Sequence, residues 1–366
     1  MTASDPRIKI DGPAGFAEIM PYLIGYRPED TIVLHGVIAT GFGTGPTMTL
    51  PLPEDPATWE AVAEAFAPHF LHVTQGRGQH DIQDIVVFLC RTPRPGQTAE
   101  ETAELLMHLA DCFADIFDDL GLAPVRHTIG LVGNRWWGYE CDLPGCCEGE
   151  PLPSPDDPNS VTAQLARLGR TVARSSSDVA SEYRPTTTNA ARYRAALEDV
   201  AADIEEQTQT RLGQLLTRDN TTKIISGALK DFHNGNPQLM DETAARIIIG
   251  LQDPRARDNA LVYGEGDDLP IARQLWAYLA RRCVPPHSRM ALPLLTLLSW
   301  VAWRQDDIVT ARHAIKEALT IGPTYLMADL LHDAMNSRTD RDGLLTRIRA
   351  ANHRQVEEDQ ADIHTG

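Results

Sequence analysis

The sequence predicts an α/β domain, a mixed sheet flanked by helices, followed by an all-α helical domain. Three observations predict it. Runs rich in β-branched residues alternate with helical patterns only as far as about residue 143. Prolines at 144, 151, 153, 155 and 158 then make a stretch unsuited to helix or central strand. Beyond it, helical periodicity runs almost without interruption. At 366 residues the chain exceeds what one hydrophobic core usually serves, so two domains are expected. The expected division is an α/β domain over 1–143, a proline-rich connector over 144–160, a helical domain over 161–350 and a frayed polar tail over 351–366.

Each element has its own signal. Residues 13–24 read as a short helix or turn that runs into the loop Pro21-Tyr22-Leu23-Ile24-Gly25-Tyr26-Arg27-Pro28-Glu29-Asp30. The β-branched run from Thr31 to Val37 reads as a strand. A glycine-rich loop over Gly41 to Gly45 separates it from Thr47 to Leu52, an alternating run that fits an antiparallel partner. Asp55 to Phe70 is helical by pattern, and Ile82 to Cys90 is apolar without alternation, as a strand covered on both faces would be. Leu105, Leu106, Leu109, Phe113, Ile116 and Phe117 fall at helical spacing within a helix expected over 101–120.

Val125 to Leu131 reads as a strand, and the Gly133-Asn134 pair joins it to Arg135 through Cys141 as a tight hairpin. That turn fixes the register: Val132 opposite Arg135, Leu131 opposite Trp136, Gly130 opposite Trp137, and His127 opposite Glu140. Trp137 is expected to cover the bare backbone of Gly130.

In the second half, helices are expected over 161–175, 189–217, 222–233, 242–251, 258–262 and 271–283, then from 292 onward. Within Trp300 to Tyr325, Ala311, Ile315, Ala318 and Pro323 stand at the offsets of the second helix of a tetratricopeptide repeat. The pattern occurs once, which predicts a single helical hairpin and not a superhelical array.

Composition narrows the function. There are 33 Lys plus Arg against 51 Asp plus Glu, a net charge of -18, with no Lys/Arg-rich stretch; nucleic acid and anionic membrane are excluded as partners. The first ten residues carry Asp5 and no apolar core, unlike a signal peptide. Met290 to Trp303 is apolar but too short to span a bilayer, and reads as a buried helix. Six unevenly spaced cysteines do not form a disulfide framework, and the expected location is cytoplasmic.

No phosphate loop, His-Glu-x-x-His or Gly-x-Ser-x-Gly is present, and Gly41 to Gly45 lies between strands instead of opening a helix. Candidate ligand-binding residues are Arg27, Glu29 and Asp30 in a loop stiffened by Pro28, and His127, Arg135, Trp136, Trp137 and Glu140 on the hairpin. His127 with Glu140 offers either an acid/base couple or a cross-strand ion pair. The tryptophans either stack a flat ligand or cap the edge of a core. Cys141, Cys146 and Cys147 offer thiolates to zinc, with His127 or Asp142 as a fourth ligand, although the spacing is not Cys-x-x-Cys. The alternatives are a regulatory thiol and small residues pinning the connector, and no cofactor is predicted.

Three segments together resemble the actinobacterial family catalogued as domain of unknown function 4192. They are the Pro21 to Asp30 segment before a strand, Arg135-Trp136-Trp137 leading to Cys141 and the Cys146-Cys147 pair, and the helical stretch from Leu295 to Leu331. Ala245 to Ala260, with Arg257-Asp258, is also similar. Glu148 departs from the family's pattern where a proline is expected, and Asp306 and Ile308 where glycines are favoured. The resemblance implies an actinobacterial, cytoplasmic origin and brings no activity, substrate or cofactor.

The leading expectation is therefore a non-catalytic binding or scaffold protein that offers its helical domain to a protein partner. The rival is an enzyme or small-ligand sensor with its site between the 25–30 loop and the 125–147 hairpin and cysteines. Nothing in the sequence fixes an oligomeric state.

Overall fold

The structure, a computed structural model, describes residues 10, 12–38, 45–75, 82–121, 124–140, 148–154, 157–168, 172–263, 265–337 and 339–365. The chain divides into two compact units, Met1–Ser176 and Ser177–Gly366.

The first unit contains α1 (Gly12–Ile24), β1 (Tyr26–Arg27), β2 (Thr31–Ile38), β3 (Thr47–Pro51), α2 (Trp59–Gln75), β4 (Ile82–Arg91), α3 (Ala99–Leu120), β5 (Val125–Val132), β6 (Arg135–Gly138), β7 (Glu150–Pro151), α4 (Val161–Arg167) and β8 (Ala173–Ser175). The main sheet has the order β3-β2-β4-β5-β6-β7. Only β4 and β5 are parallel, joined by the crossover helix α3; the other pairs are antiparallel. The unbroken apolar run of β4 follows from burial on both faces. Ile85, Val87 and Leu89 pack with Trp59 and Phe70 of α2 and Phe113 of α3. Val86, Phe88 and Cys90 pack with Phe16, Ala17 and Met20 of α1. A helix, a sheet and a helix pair thus form three layers.

Local chemistry sets the ends of α3. Thr98 accepts from the Glu101 amide while the Glu101 carboxylate accepts from the Thr98 amide, a reciprocal cap. Gly121 closes the helix at φ 60°, a left-handed value that suits glycine. At the other face of the sheet, α1 covers the 13–24 segment read as a short helix or turn, with Pro21 inside it, and buries Phe16 to Met20.

The hairpin register is as expected: Val132 pairs with Arg135, Leu131 with Trp136 and Gly130 with Trp137. The cover over Gly130 differs. A Cβ there would sit 2.5 Å from the hydroxyl of Tyr139, which is anchored by donating to the Ala103 carbonyl at 2.8 Å. Trp137 instead covers Gly149, whose added Cβ would lie 2.3 Å from the indole. The diagonal neighbour two residues along the strand has taken the place of the direct one.

The first unit also continues past residue 143. Leu152 donates to the Asn134 carbonyl at 3.0 Å behind the edge strand β7, where proline is tolerated because an edge needs fewer ladder donors. α4, shorter than the helix expected over 161–175, seats Val161 and Leu165 against Ile19 of α1. The buried Glu18 carboxylate accepts from the Thr162 amide at 3.1 Å. β8 then pairs in parallel with β1 as a separate two-stranded ladder.

α5 (Ser176–Ser181) leads into the second unit, which holds α6 (Ala190–Gln207), α7 (Arg211–His233), α8 (Asp241–Gly250), α9 (Pro254–Ala260), α10 (Asp268–Ala280), α11 (Ala291–Arg304), α12 (Ile308–Ile321), α13 (Leu326–Asn336) and α14 (Arg341–Thr365). Its core centres on Trp276, Trp300 and the leucines of α11; the Trp300 ring nitrogen donates to the Leu261 carbonyl at 2.9 Å. The expected hairpin is α11 and α12, with Ala311, Ile315 and Ala318 buried.

Two expectations differ here. The helix break falls at Thr208–Thr210 instead of 218–221: the Thr208 hydroxyl turns back to the Ile204 carbonyl, and Thr210 caps α7 through the Gly213 amide. The backbone approaches Gly213 so closely that a Cβ would overlap the Gln207 carbonyl. The tail expected to fray is helical from 351 through Thr365, where buried Asp359 takes the guanidinium groups of Arg218 and Arg255 at 2.5 and 2.9 Å. Among the described residues, no helix is long and apolar enough to cross a membrane.

Candidate functional site

The ends of the sheet divide the residues that the sequence nominates. Thr31 pairs with Cys90, and Val132 with both Arg91 and Arg135, so the Asp30 turn and Arg135 belong to the end where β4 and β5 finish. His127 lies five residues back along β5, about 16 Å at strand rise, towards the opposite end. The register brings His127 to Glu140 and keeps both away from Asp30.

Most of these side chains serve the fold. Asp30 adopts φ 39°, tolerated because its carboxylate accepts the Thr92 amide at 3.2 Å and ties the start of β2 to the loop after β4. Thr31 donates to the Glu29 carbonyl, and Arg27 is exposed in β1. Arg135 donates to the Glu148 and Gly149 carbonyls and stands 4.0 Å from Glu100, clipping β6 to the segment before β7. Trp137 is in the core and Trp136 packs beside it on the other face, so the pair does not form an exposed stacking platform. The Glu140 carboxylate lies 3.3 Å from His127 Nδ1 and also accepts the Thr128 amide, a bidentate brace at the strand end. Cys141, Cys146 and Cys147 lie outside the described residues, as do Gly41 to Thr44. The described cysteines, Cys90, Cys112 and Cys283, are free thiols, and among the described residues no group of three His, Cys, Asp or Glu is placed to hold a metal.

At the end of β4, Arg91 is buried with its guanidinium 5.2 Å from the Trp59 ring and donates to the Pro53 and Glu54 carbonyls. Burial, with Arg94 nearby, lowers the pKa of Arg91. Burial, with Asp30 adding to it, pushes the Cys90 thiol up, which keeps it neutral and unreactive.

A cleft that the sequence reading did not single out lies in the second unit. It measures about 350 Å³ and is lined by Glu182, Thr186, Tyr193 of α6, and Gln274, Tyr278, Arg281 and Arg282 at the end of α10. The guanidinium of Arg282 lies 3.4 Å from the Tyr278 ring centre and 4.8 Å from that of Tyr193, and one of its nitrogens donates to the Tyr278 carbonyl at 2.9 Å. The Tyr278 hydroxyl receives the Leu239 amide at 2.9 Å, holding the ring in place. Thr186 donates its amide to the Arg281 carbonyl, which docks the α5–α6 linker on the end of α10. Glu182 is neutralised by Arg273 at 2.9 Å, and burial of Arg273 is outweighed by its bonds to Glu182 and Asp307, which raise its pKa.

A charge signal for this cleft was present in the sequence. Acids number 51 in 366 residues, about one in seven, yet none occurs between Glu182 and Glu198 or between Asp268 and Asp306. These two acid-free segments supply the cleft.

An α/β unit of three layers followed by a helical unit with an arginine- and tyrosine-lined cleft defines a two-unit protein class. The chain belongs to the family described as Domain of unknown function (DUF4192), whose family model matches residues 13–340. No curated protein and no solved structure matches the chain.

Proposed function

We propose that this is a non-catalytic binding protein, working in the actinobacterial cytoplasm, whose helical unit receives a protein partner. The observation that carries this reading is the cleft at the end of α10, where Tyr193, Tyr278 and Arg282 form a fixed stack beside the open side chains of Gln274 and Arg281. Tyrosine and arginine are the residue types that dominate binding energy at protein interfaces, and here they are mounted on rigid helices. The free thiols of Cys90, Cys112 and Cys283 support a reducing compartment. The acidic balance of the whole chain disfavours nucleic acid.

Native mass spectrometry of the protein taken gently from its own host tests the reading. The expected spectrum contains a complex heavier than the 40.3 kDa chain by the mass of a partner. Bare chain alone, at concentrations where weak complexes survive, contradicts it. The same spectrum weighs any zinc held by Cys141, Cys146 and Cys147.

A further inference from the structure

We infer that the cleft between α6 and α10 recognises an acidic peptide segment of its partner, with a carboxylate seated against Arg281 and Arg282. This deepens, and rests on, the reading of the helical unit as a binding body.

The charge placement is the main ground. In a chain with net charge -18, the two segments that build this cleft carry no Asp or Glu between Glu182 and Glu198 or between Asp268 and Asp306. Of the arginines in those segments, Arg184 and Arg192 are paired with Glu317 and Asp241, and Arg281 and Arg282 are the two that line the cleft. The one carboxylate on the wall, Glu182, is held by Arg273. The cleft is therefore locally basic within an acidic surface, which steers an acidic segment to this place and repels it elsewhere.

The second ground is the division of labour between the two arginines. Arginine near the end of a helix commonly does no more than satisfy the last carbonyls. Arg282 does so, donating to the Tyr278 carbonyl while lying between two tyrosine rings. Arg281 is different: it lines the cleft, is exposed, and has no carboxylate partner among the described residues. A guanidinium fork of this kind receives a carboxylate by two parallel hydrogen bonds. Gln274 and Thr186 add polar contacts to the wall, and the Tyr193 and Tyr278 rings supply a surface for the aliphatic stem or ring of a neighbouring residue.

The test uses the full chain and fluorescein-labelled hexaglutamate peptide carrying one tyrosine, read by fluorescence anisotropy in 50 mM and 200 mM salt. Saturable binding is expected at low salt, weakened at least tenfold at 200 mM. Arg281→Glu, a change at an exposed side chain, is expected to weaken binding at least tenfold at low salt, while Arg281→Lys keeps part of it. Equal binding of the peptide with every Glu replaced by Gln, or an unchanged Kd in Arg281→Glu, overturns the inference; so does the absence of saturable binding. If a partner is nonetheless retained from the host, the acidic chemistry is wrong and the binding function stands. If neither peptide nor partner is held, both fail.

Discussion

Arg218 and Asp359, 141 positions apart in the sequence, are joined by a 2.5 Å hydrogen bond between two buried side chains. Arg218 also holds Asp253, the cap of α9, at 2.8 Å, and Asp359 also holds Arg255. Burial on its own works against the Arg218 charge, but bonds to both carboxylates outweigh it and raise its pKa. One paired cluster therefore fastens α7, α9 and α14 together, and it makes the polar C-terminal segment part of the helical unit.

Removing one partner from such a cluster leaves a buried charge short of its counterion. Asp359→Ala is expected to cost about 3 kcal/mol, measured by urea unfolding. Removal of residues 351–366 is expected to cost at least as much. A loss below about 0.5 kcal/mol for both would mean that α14 is an ornament on the unit.

His35 gives a pH dependence in the first unit. It is buried in β2, 2.7 Å from the Thr47 hydroxyl, and burial pulls its pKa down to about 4. The folded state thus binds fewer protons than the unfolded chain between pH 6.5 and 4. Its contribution is complete above pH 6.5 and is lost as the pH falls towards 4, by about 3 kcal/mol in all. The total fall in stability across that window is expected to be smaller by this amount in His35→Gln, and an unchanged fall contradicts the assignment.

Gly130 is expected to be intolerant of a side chain. In Gly130→Ala the new Cβ meets the Tyr139 hydroxyl at 2.5 Å, so the ring must move away from the Ala103 carbonyl. A loss of about 2 kcal/mol is expected, with Tyr139→Phe losing about 1 kcal/mol for the hydrogen bond alone. Thermal unfolding of both variants checks it, and a neutral Gly130→Ala contradicts the packing described.

Thiol chemistry separates the described cysteines. Burial raises the pKa of all three, but Cys90 and Cys283 are buried whereas Cys112 is partly exposed. Native alkylation followed by peptide mapping is expected to label Cys112 well before the other two. Equal labelling at all three would contradict the burial.

The fold was legible in the sequence wherever one physical signal acted alone. The uninterrupted apolar run of β4 announced burial on both faces, and Gly133-Asn134 fixed the hairpin register down to the His127 and Glu140 contact. Asp306 stands where the family's pattern favours glycine, and its φ of 62° gives the reason, since the turn between α11 and α12 requires a left-handed residue. The failures came where a distant partner decided. Within the unbroken α7, Arg218 is received by Asp253 and Asp359, and the helical tail is held by the same contact. The proline stretch looked like a linker because the edge pairing of β7 with β6 leaves no periodicity to read. Among the nominated residues, Asp30, Arg135, His127 and Glu140 make structural contacts, and the register sets Asp30 and Arg135 at the end of the main sheet away from His127 and Glu140. The cleft at α10 escaped notice because its signal is an absence of acids over two segments far apart in sequence.

Photo-crosslinking in the host tests the central claim most directly. A benzophenone amino acid in place of Gln274, in the cleft, is compared with the same residue in place of Arg347, exposed on α14. The account predicts one defined adduct from position 274, absent from position 347 and lost when Arg281→Glu is added. Identical adduct patterns from the two positions, or adducts from 347 alone, would contradict it.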